Sequence, residues 1–139
     1  MIEISEPLAA AGLWIGLSLF LIWILGLRVT QIRINLNIGT GHGHNPRLER
    51  AIRAHGNATE YVPGLLVGLL VVALLGYSPI WIHTLGGTLF FARLLHAHGI
   101  QDLSRPLPPT RVAGNALTWI VTLIMCGMLI APFTIRLMP

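Results

Sequence analysis

The sequence predicts an all-α integral membrane protein, a bundle of four transmembrane helices. Hydrophobic residues make up 54% of the 139 residues and charged residues only 10%, against about 25% charged in an ordinary soluble domain. The mean hydropathy is +0.73. A soluble domain of this length exposes much of its surface to water, which so few charges would cover poorly. Apolar residues run throughout, which excludes a disordered chain, and the length fits a single domain over residues 1–139.

The first helix is predicted over about residues 7–30. The 21 residues from Pro7 to Leu27 carry no charge, and about 20 helical residues cross the roughly 30 Å hydrocarbon core of a bilayer. A signal peptide is the alternative for this segment. Its short flank holds Glu3 and Glu6 rather than Lys or Arg, the apolar run exceeds a usual signal core, and no small-residue cleavage site follows. We therefore expect a retained helix.

The second and third helices are predicted from one long uncharged segment. Residues 61–92 contain no Asp, Glu, Lys or Arg over 32 positions, and Gly-Tyr-Ser-Pro at 76–79 is a turn signal. Neither half spans a membrane alone, so each helix must include neighbouring charged residues. We expect helix 2 at about 47–75 and helix 3 at about 79–99. Charged residues inside a membrane usually face a bundle interior or a water-filled cavity.

The fourth helix is predicted at about 109–135, because the 24 residues 112–135 carry no charge. This segment contains Cys126, the only cysteine. A lone cysteine forms no intrachain disulfide. In its apolar run it is predicted to be a small buried hydrophobic residue.

The basic residues predict the orientation of the chain. All nine are Arg, and eight of them lie in segments 28–53 and 93–111. Under the positive-inside rule these segments are cytoplasmic. The N-terminus, with its two Glu, and the C-terminus, with only Arg136, are then outside.

The sequence pI of about 10.7 is found in nucleic-acid-binding domains, but the apolar composition excludes that partner and favours a lipid membrane. The short, lysine-free chain favours a bacterial inner membrane.

The start of helix 2 carries the residues best suited to ligand binding. Arg53, Asn57 and Glu60 stand at i, i+4 and i+7, so they share one helix face, and Arg50 and Tyr61 flank that face. Arg binds carboxylates bidentately, Glu binds an ammonium, and Asn supplies both a donor and an acceptor. The face is therefore suited to a zwitterion. The alternative is an internal link between Arg53 and Glu60 that neutralises both charges.

The histidines do not predict a metal site. His42 and His44 form a pair at i,i+2, as do His96 and His98, but two such ligands make no site without a supporting Cys or carboxylate cluster. A metal- or haem-binding bundle that uses the histidines of helix 3 is kept as an alternative. His55 points away from the Arg53 face, so we expect it to serve helix packing.

The segment 53–63, with the pattern Arg-Ala-His-x-Asn-x-x-Glu-x-x-Pro, resembles the helix 2 signature of the membrane-associated proteins in eicosanoid and glutathione metabolism (MAPEG). Within that family the chain is similar to the microsomal glutathione transferases. The similarity extends to Ala-Arg-Leu-x-His-x-x-Gly at 92–99 and to Arg-Pro-Leu-Pro-Pro-Thr-Arg at 105–111. It covers essentially the whole chain, and the helix 2 motif is its most specific part.

The resemblance implies a homotrimer of four-helix subunits, with glutathione as co-substrate between adjacent subunits near the cytoplasmic side. By position, Arg53, Asn57 and Glu60 would hold the charged ends of glutathione. The remaining residues that the resemblance assigns to the site are Arg28, Tyr61 and Arg93 in binding and Arg111 next to the glutathione sulfur as the catalytic residue. A lipophilic second substrate would arrive from the bilayer.

The resemblance also implies the reaction class. It would be addition of the glutathione thiolate to an apolar electrophile, or reduction of a lipid hydroperoxide. Several family members carry Tyr around the positions of His96 and Ile100, and this chain has no Tyr at either. The alternative function is therefore a non-catalytic protein of the same fold that binds glutathione or a lipid.

Arg111 is suited to thiol activation on chemical grounds. A thiol attacks only as the thiolate, and Arg is a fixed positive charge. At about 4 Å and an effective dielectric constant of about 20, a unit charge pair gains about 4 kcal/mol, enough to bring the pKa of a thiol towards neutrality. The alternative for both Arg111 and Arg93 is an anchor whose charged end extends to the membrane surface.

Overall fold

The computed structural model describes residues 5–137, with side chains through residue 135. The described chain contains no strand, and its four helices confirm the predicted all-α fold. They are α1 (Glu6–Leu36), α2 (Pro46–Leu74), α3 (Pro79–Gln101) and α4 (Pro109–Leu137). Their ends lie within two residues of the predicted bounds, except that α1 continues to Leu36 instead of ending near residue 30.

Proline begins α2, α3 and α4, and in α1 it follows the first helical residue. Proline suits the first turn because the N–H that it lacks would have no helical partner there. At the start of α2 the side chain of Asn45 accepts a hydrogen bond of 3.0 Å from the Leu48 N–H, as an N-cap does. The turn before α3 uses Gly76 at φ 81°, a conformation that glycine adopts without steric cost.

The additional turns of α1 extend beyond the hydrocarbon core. Its 31 residues are about 46 Å long, whereas the core is about 30 Å thick, so charged residues in the last turns do not stop the helix. It ends at Asn37, which adopts the left-handed conformation at φ 54°. The Asn37 N–H donates to the Ile34 carbonyl at 3.2 Å and the Ile38 N–H to the Arg33 carbonyl at 3.0 Å, which satisfies two terminal carbonyls.

Helices α2 and α3 form the centre of the bundle. Helix α1 packs against both of them, and α4 packs mainly against α3. Among the described residues, no Cα of α1 comes within 8 Å of a Cα of α4. The largest buried cluster is aliphatic and draws on all four helices; it includes Ala11, Val62, Leu66, Leu69, Val72, Ile82, Leu85, Leu89, Val121 and Met125.

Three helices, α1, α2 and α4, are both long and apolar enough to cross a membrane. Helix α3 has 23 residues, about 34 Å, which is also long enough. Its lower hydropathy has a structural cause, because it carries Arg93 and His96, which are 2% and 1% exposed. Polar side chains inside a bundle are not presented to lipid. Large apolar side chains are exposed on the outer helices and include Leu19, Phe20, Trp23, Trp119, Leu123 and Phe133.

The prediction that Cys126 is buried is wrong. Its side chain is exposed on α4, among residues that face outward from the bundle. An apolar run does not distinguish a position that faces lipid from one that faces the protein core, because both surroundings favour the same residue types.

A hydrogen bond from the α2–α3 turn satisfies a carbonyl of α4 that a proline leaves without its helical partner. Pro132 lies inside α4 and has no N–H, so the Met128 carbonyl four residues earlier loses its helical partner. The Tyr77 hydroxyl donates to that carbonyl at 2.8 Å. An unsatisfied backbone group in the hydrocarbon region costs several kcal/mol, so this bond stabilises the contact between α4 and the turn.

Removing the Tyr77 hydroxyl is therefore expected to destabilise the fold. We predict that Tyr77→Phe lowers the free energy of unfolding by about 1–3 kcal/mol, the usual cost of leaving a buried acceptor unpaired. In a Pro132→Ala background, Tyr77→Phe should lower the free energy of unfolding by clearly less, because the alanine N–H restores the helical partner of the Met128 carbonyl. Denaturant unfolding of all four variants in detergent measures the difference, and equal costs in both backgrounds would contradict this role.

The predicted orientation is testable by labelling. Two features used for it, Glu3 and the side chain of Arg136, lie outside the described residues. In a Cys126→Ala background, single cysteines at Thr40, between α1 and α2, and at Ser78, before α3, should react with a membrane-impermeant reagent from opposite sides. Thr40 is preferable to Gly41, whose φ of +64° is strained for any other residue. Reaction of both cysteines from one side would contradict four spans.

Candidate functional site

An open cavity of about 600 Å³ lies where α2 begins, α3 ends and α4 begins. Small-molecule sites commonly have volumes of about 300–1,000 Å³. One wall is the first half of α2, and the other is formed by the end of α3, the α3–α4 connection (residues 102–108) and the first turn of α4. The lining residues are Glu49, Arg50, Ile52, Arg53, Gly56, Asn57, Glu60, Ile100, Pro106 and Arg111.

Arg53, Asn57 and Glu60, which we call the α2 stripe, all line the cavity. Arg53 and Glu60 are seven residues apart, about 10.5 Å along the helix axis, close to the length of an extended three-residue peptide. Among the described side chains, no ion pair within 4.0 Å joins these two residues. The internal neutralisation considered above is therefore not observed, and both charges are available to bind a ligand.

Close packing of α3 and α4 brings Arg111 to the opposite wall. Gly99 lies against the backbone of Arg111, and Gly114 lies against the Ala92 carbonyl and His96, so that a Cβ at either glycine would collide. Small residues allow membrane helices to approach this closely. As a result, the first turn of α4 is held against the last turn of α3, and the half-buried Arg111 side chain lines the cavity.

Arg50 is a cavity residue that links the two walls. It is half-buried, and its Nη1 donates to the Ile100 carbonyl at 3.2 Å and to the Asp102 carbonyl. The Ile100 carbonyl lies in the last turn of α3, where carbonyls lack a helical partner, and Asp102 is the residue that follows the helix; the helix dipole favours a positive charge at this end. No residue pattern indicates this contact, because the acceptors are backbone atoms 50 and 52 residues away.

The α3–α4 connection begins with a tight turn at Asp102. The hydroxyl and the backbone N–H of Ser104 both donate to Oδ1 of Asp102. These two hydrogen bonds, the side-chain bond first, lower the pKa of Asp102 below its ordinary value, because both favour the ionised form. The carboxylate therefore stays charged at neutral pH and keeps the turn closed.

Arg93 lies behind the α2 wall rather than in the lining. Its Nη2 donates to Oδ1 of Asn57 at 2.6 Å and lies 3.1 Å from Nδ1 of His96, and its guanidinium carbon is 5.7 Å from the ring centroid of Tyr61. Because Arg only donates, Nδ1 of His96 is the acceptor. Nε and Nη1 of Arg93 have no partner among the described residues. At 2% exposed, Arg93 is not an anchor at the membrane surface.

The seven residues assigned to the site from the sequence thus fall into three groups. Four line the cavity: Arg53, Asn57, Glu60 and Arg111. Arg93 and Tyr61 lie behind it: Arg93 donates to Asn57, which lines the cavity, and the Arg93 guanidinium lies over the Tyr61 ring. Arg28 is exposed on α1 and does not line the cavity of a single chain. Glu49 and Arg50 also line the cavity, although neither was assigned to the site; the helical spacing had placed only Arg50 beside the Arg53 face.

The histidines do not gather into one cluster, although the rings of His42 and His44 lie 5.6 Å apart. Nδ1 of His83 accepts a hydrogen bond of 3.1 Å from Trp14, and His83 precedes His96 by 13 residues, about 20 Å along α3. In the part of the chain that the structure describes, no three His, Cys, Asp or Glu residues come together as metal ligands. The ring of His55 lies against Gly26 of α1, in agreement with the expected packing role.

Comparison with known proteins agrees with the motif in α2. The MAPEG family model matches residues 11–131, a range that includes every residue of the cavity. The chain is also similar to inner membrane protein YecN of Escherichia coli, from strains K12 and O6:H1. The identity is 31% over 115 residues, which cover 83% of this chain and 86% of the relative. The chain therefore belongs to the MAPEG family.

Proposed function

We propose that the protein is a membrane-bound glutathione transferase or peroxidase that activates the glutathione thiolate in the cavity between α2 and α4. The observation that carries the proposal is that charges of both signs, on the α2 stripe and on Arg111, converge on one cavity of about 600 Å³. Membership of the MAPEG family supports it. The similarity to an inner membrane protein supports a bacterial inner membrane as the location, with the Arg-rich cavity end cytoplasmic.

The charges of the cavity match those of glutathione, which carries one ammonium, two carboxylates and a thiol. Glu60 is the group for the ammonium, and Arg53 is the group for the carboxylate at the other end of the tripeptide, which guanidinium binds bidentately. Asn57 accepts from Arg93 through Oδ1, so its amide NH₂ is left to donate to the ligand. Arg93 adds a buried positive charge behind this wall, which favours an anionic ligand.

A homotrimer completes the proposed site. The cavity of one chain is open, the outer faces of α1 and α4 are apolar, and Arg28 is exposed on α1. In a trimer an adjacent subunit covers part of these faces, and its Arg28 is the candidate for the second carboxylate of glutathione. Tyr61, which is 42% exposed, is available to contact the ligand or the neighbouring chain.

Arg111 is proposed to stabilise the sulfur anion where the cavity meets the bilayer. In the transferase reaction the sulfur forms a bond to an electrophilic carbon of a lipophilic substrate, and the leaving group departs with its electron pair. In the peroxidase reaction the thiolate attacks the terminal peroxide oxygen and the O–O bond breaks. The products are the sulfenic acid of glutathione and a lipid alkoxide, which takes a proton. A second glutathione then converts the sulfenic acid to the disulfide and water.

The second candidate function is a non-catalytic membrane protein that binds glutathione or a lipid. It is favoured by the residues at the two positions where several family members carry Tyr. Here His96 is buried and bonded to Arg93, and Ile100 presents an apolar side chain to the cavity. Binding without turnover would support this candidate over the enzyme.

The binding proposal is tested on the α2 stripe. We predict that Arg53→Ala and Glu60→Ala each weaken glutathione binding by at least about 1.5–3 kcal/mol, the usual contribution of a hydrogen bond to a charged group. Calorimetric titration of detergent-purified protein measures this. Arg47→Ala is the matched control, because Arg47 is exposed on α2 outside the cavity. Wild-type affinity in both folded stripe variants would refute the site.

The activation proposal is tested on Arg111. Bound glutathione should show thiolate absorbance near neutral pH, and Arg111→Ala should remove most of it and lower kcat. Affinity should change little, because the stripe still holds the charged ends. A group that acts on the reacting sulfur changes the rate more than the ground-state affinity. Arg111→Lys should recover only part of the effect.

Two outcomes would count against this role. If Arg111→Ala abolishes binding while the residual complex keeps its thiolate, Arg111 binds a carboxylate, and Arg93 becomes the better candidate for activation. If the wild-type complex contains no thiolate at neutral pH, the non-catalytic function is favoured.

A further inference from the structure

We propose that Arg50 is a positioning residue, which ties the α3–α4 connection to α2 and so sets the separation between the two walls of the cavity. The inference rests on the proposed function, because it assumes that the α2 stripe and Arg111 act on the same ligand. Arg50 itself acts through Arg111 and not on the reacting sulfur.

The contacts of Arg50 are suited to this role. One nitrogen, Nη1, donates to the carbonyls of Ile100 and Asp102, so it holds both the last turn of α3 and the first residue of the connection. A hydrogen bond from an ionised donor is about twice as strong as one between neutral groups. The acceptors lie at the negative end of the α3 dipole, where the guanidinium charge adds to the attraction.

The Arg50 link lies at the mouth of the cavity. The only other polar side-chain link between α2 and α3 among the described residues joins Asn57 to Arg93. Asn57 is seven residues beyond Arg50, about 10 Å deeper along α2. With both links present, α3 is hydrogen-bonded to α2 at two levels along the bundle, one at the mouth of the cavity and one deeper. Without Arg50 the end of α3 keeps the packing of Ala97 and Ile100 against Ala54 and Ala58 of α2, but the connection loses its hydrogen bond to α2 and is free to move away from that helix.

Movement of the connection, or of the end of α3, reaches Arg111 directly. Gly99 packs against the Arg111 backbone, and the Arg111 N–H donates to the Pro108 carbonyl at 3.0 Å. The α2 stripe lies on the other wall and keeps its geometry. Loss of Arg50 therefore separates the group that stabilises the sulfur from the groups that hold the charged ends of the ligand.

A direct contact between Arg50 and a ligand carboxylate is the competing role, because Arg50 also lines the cavity. The two roles differ in what they change. A ligand contact affects the dissociation constant of glutathione. A positioning residue affects kcat and the thiolate fraction of the bound complex and leaves the dissociation constant close to that of the wild type.

The first experiment compares Arg50→Met, Arg50→Lys and the control Arg105→Met, in the full-length protein, with glutathione and chlorodinitrobenzene as substrates. Arg105→Met removes the same charge from the connection itself, where the exposed side chain forms no hydrogen bond with any described residue. For Arg50→Met we expect kcat to fall about tenfold to a hundredfold, the scale of a displacement of about 1 Å at a reacting centre. Thiolate absorbance should fall with it.

Arg50→Lys should recover part of kcat, because an ammonium still donates to one carbonyl, and Arg105→Met should behave as the wild type. Combining Arg50→Met with Arg111→Ala should lower kcat no further than Arg111→Ala alone, since residues that act through one another are not additive. Additive losses in the double variant, or a raised dissociation constant with unchanged kcat, would overturn the proposal.

The second experiment does not depend on glutathione. Spin labels on cysteines at Arg47 and Leu103, both exposed, report the distance between the walls in a Cys126→Ala background, with labelled chains diluted by unlabelled ones. Arg50→Met should lengthen and broaden the distance distribution, and Arg105→Met should not. An unchanged distribution would overturn the positioning role. If the distribution changes but the wild type forms no thiolate, the link is correct and the proposed function is wrong.

Discussion

Arg93 carries a permanent positive charge into the interior of a bundle surrounded by lipid, and the arrangement of the helices follows from how that charge is accommodated. The hydrocarbon core offers no water to solvate a guanidinium. The charge must therefore lie among protein groups, and α3, which bears it, contacts all three other helices. Asn57 from α2 and His96 from α3 itself accept its hydrogen bonds. Helix α3 therefore lies at the centre of the bundle together with α2, and the apolar faces of α1 and α4 are outermost.

The same charge connects the interior of the bundle to the cavity. Asn57 accepts a hydrogen bond from Arg93 and also lines the cavity. This hydrogen bond fixes the orientation of the Asn57 amide before any ligand binds. A preformed donor of this kind loses little freedom on binding. Two nitrogens of Arg93 have no hydrogen-bond partner among the described residues. A carboxylate or thiolate bound in the cavity, as in the proposed function, would place a negative charge near this guanidinium.

The helices and the α2 stripe could be predicted from the sequence because both depend on local periodicity. Uncharged runs bounded by Arg and proline define the helices, and the i, i+4, i+7 spacing places Arg53, Asn57 and Glu60 on one face. Contacts between distant segments could not be predicted in this way. The partners of Arg50 are backbone carbonyls, which have no residue signature. The exposure of Cys126 was mispredicted because lipid and protein core select the same side chains, and the extension of α1 depends on where the membrane ends.

In the proposed function, the division of the cavity between two walls separates affinity from rate. The α2 stripe bears the groups for the charged ends of a ligand, whereas Arg111 belongs to α4 and is held by the packing of Gly99 on its backbone. A change in the distance between the walls would leave the α2 contacts intact and alter only the field at the sulfur, which falls with distance. A protein of this architecture could therefore lose turnover while keeping its ligand. The proposed enzyme and the non-catalytic binder are therefore both compatible with the same fold and the same α2 stripe.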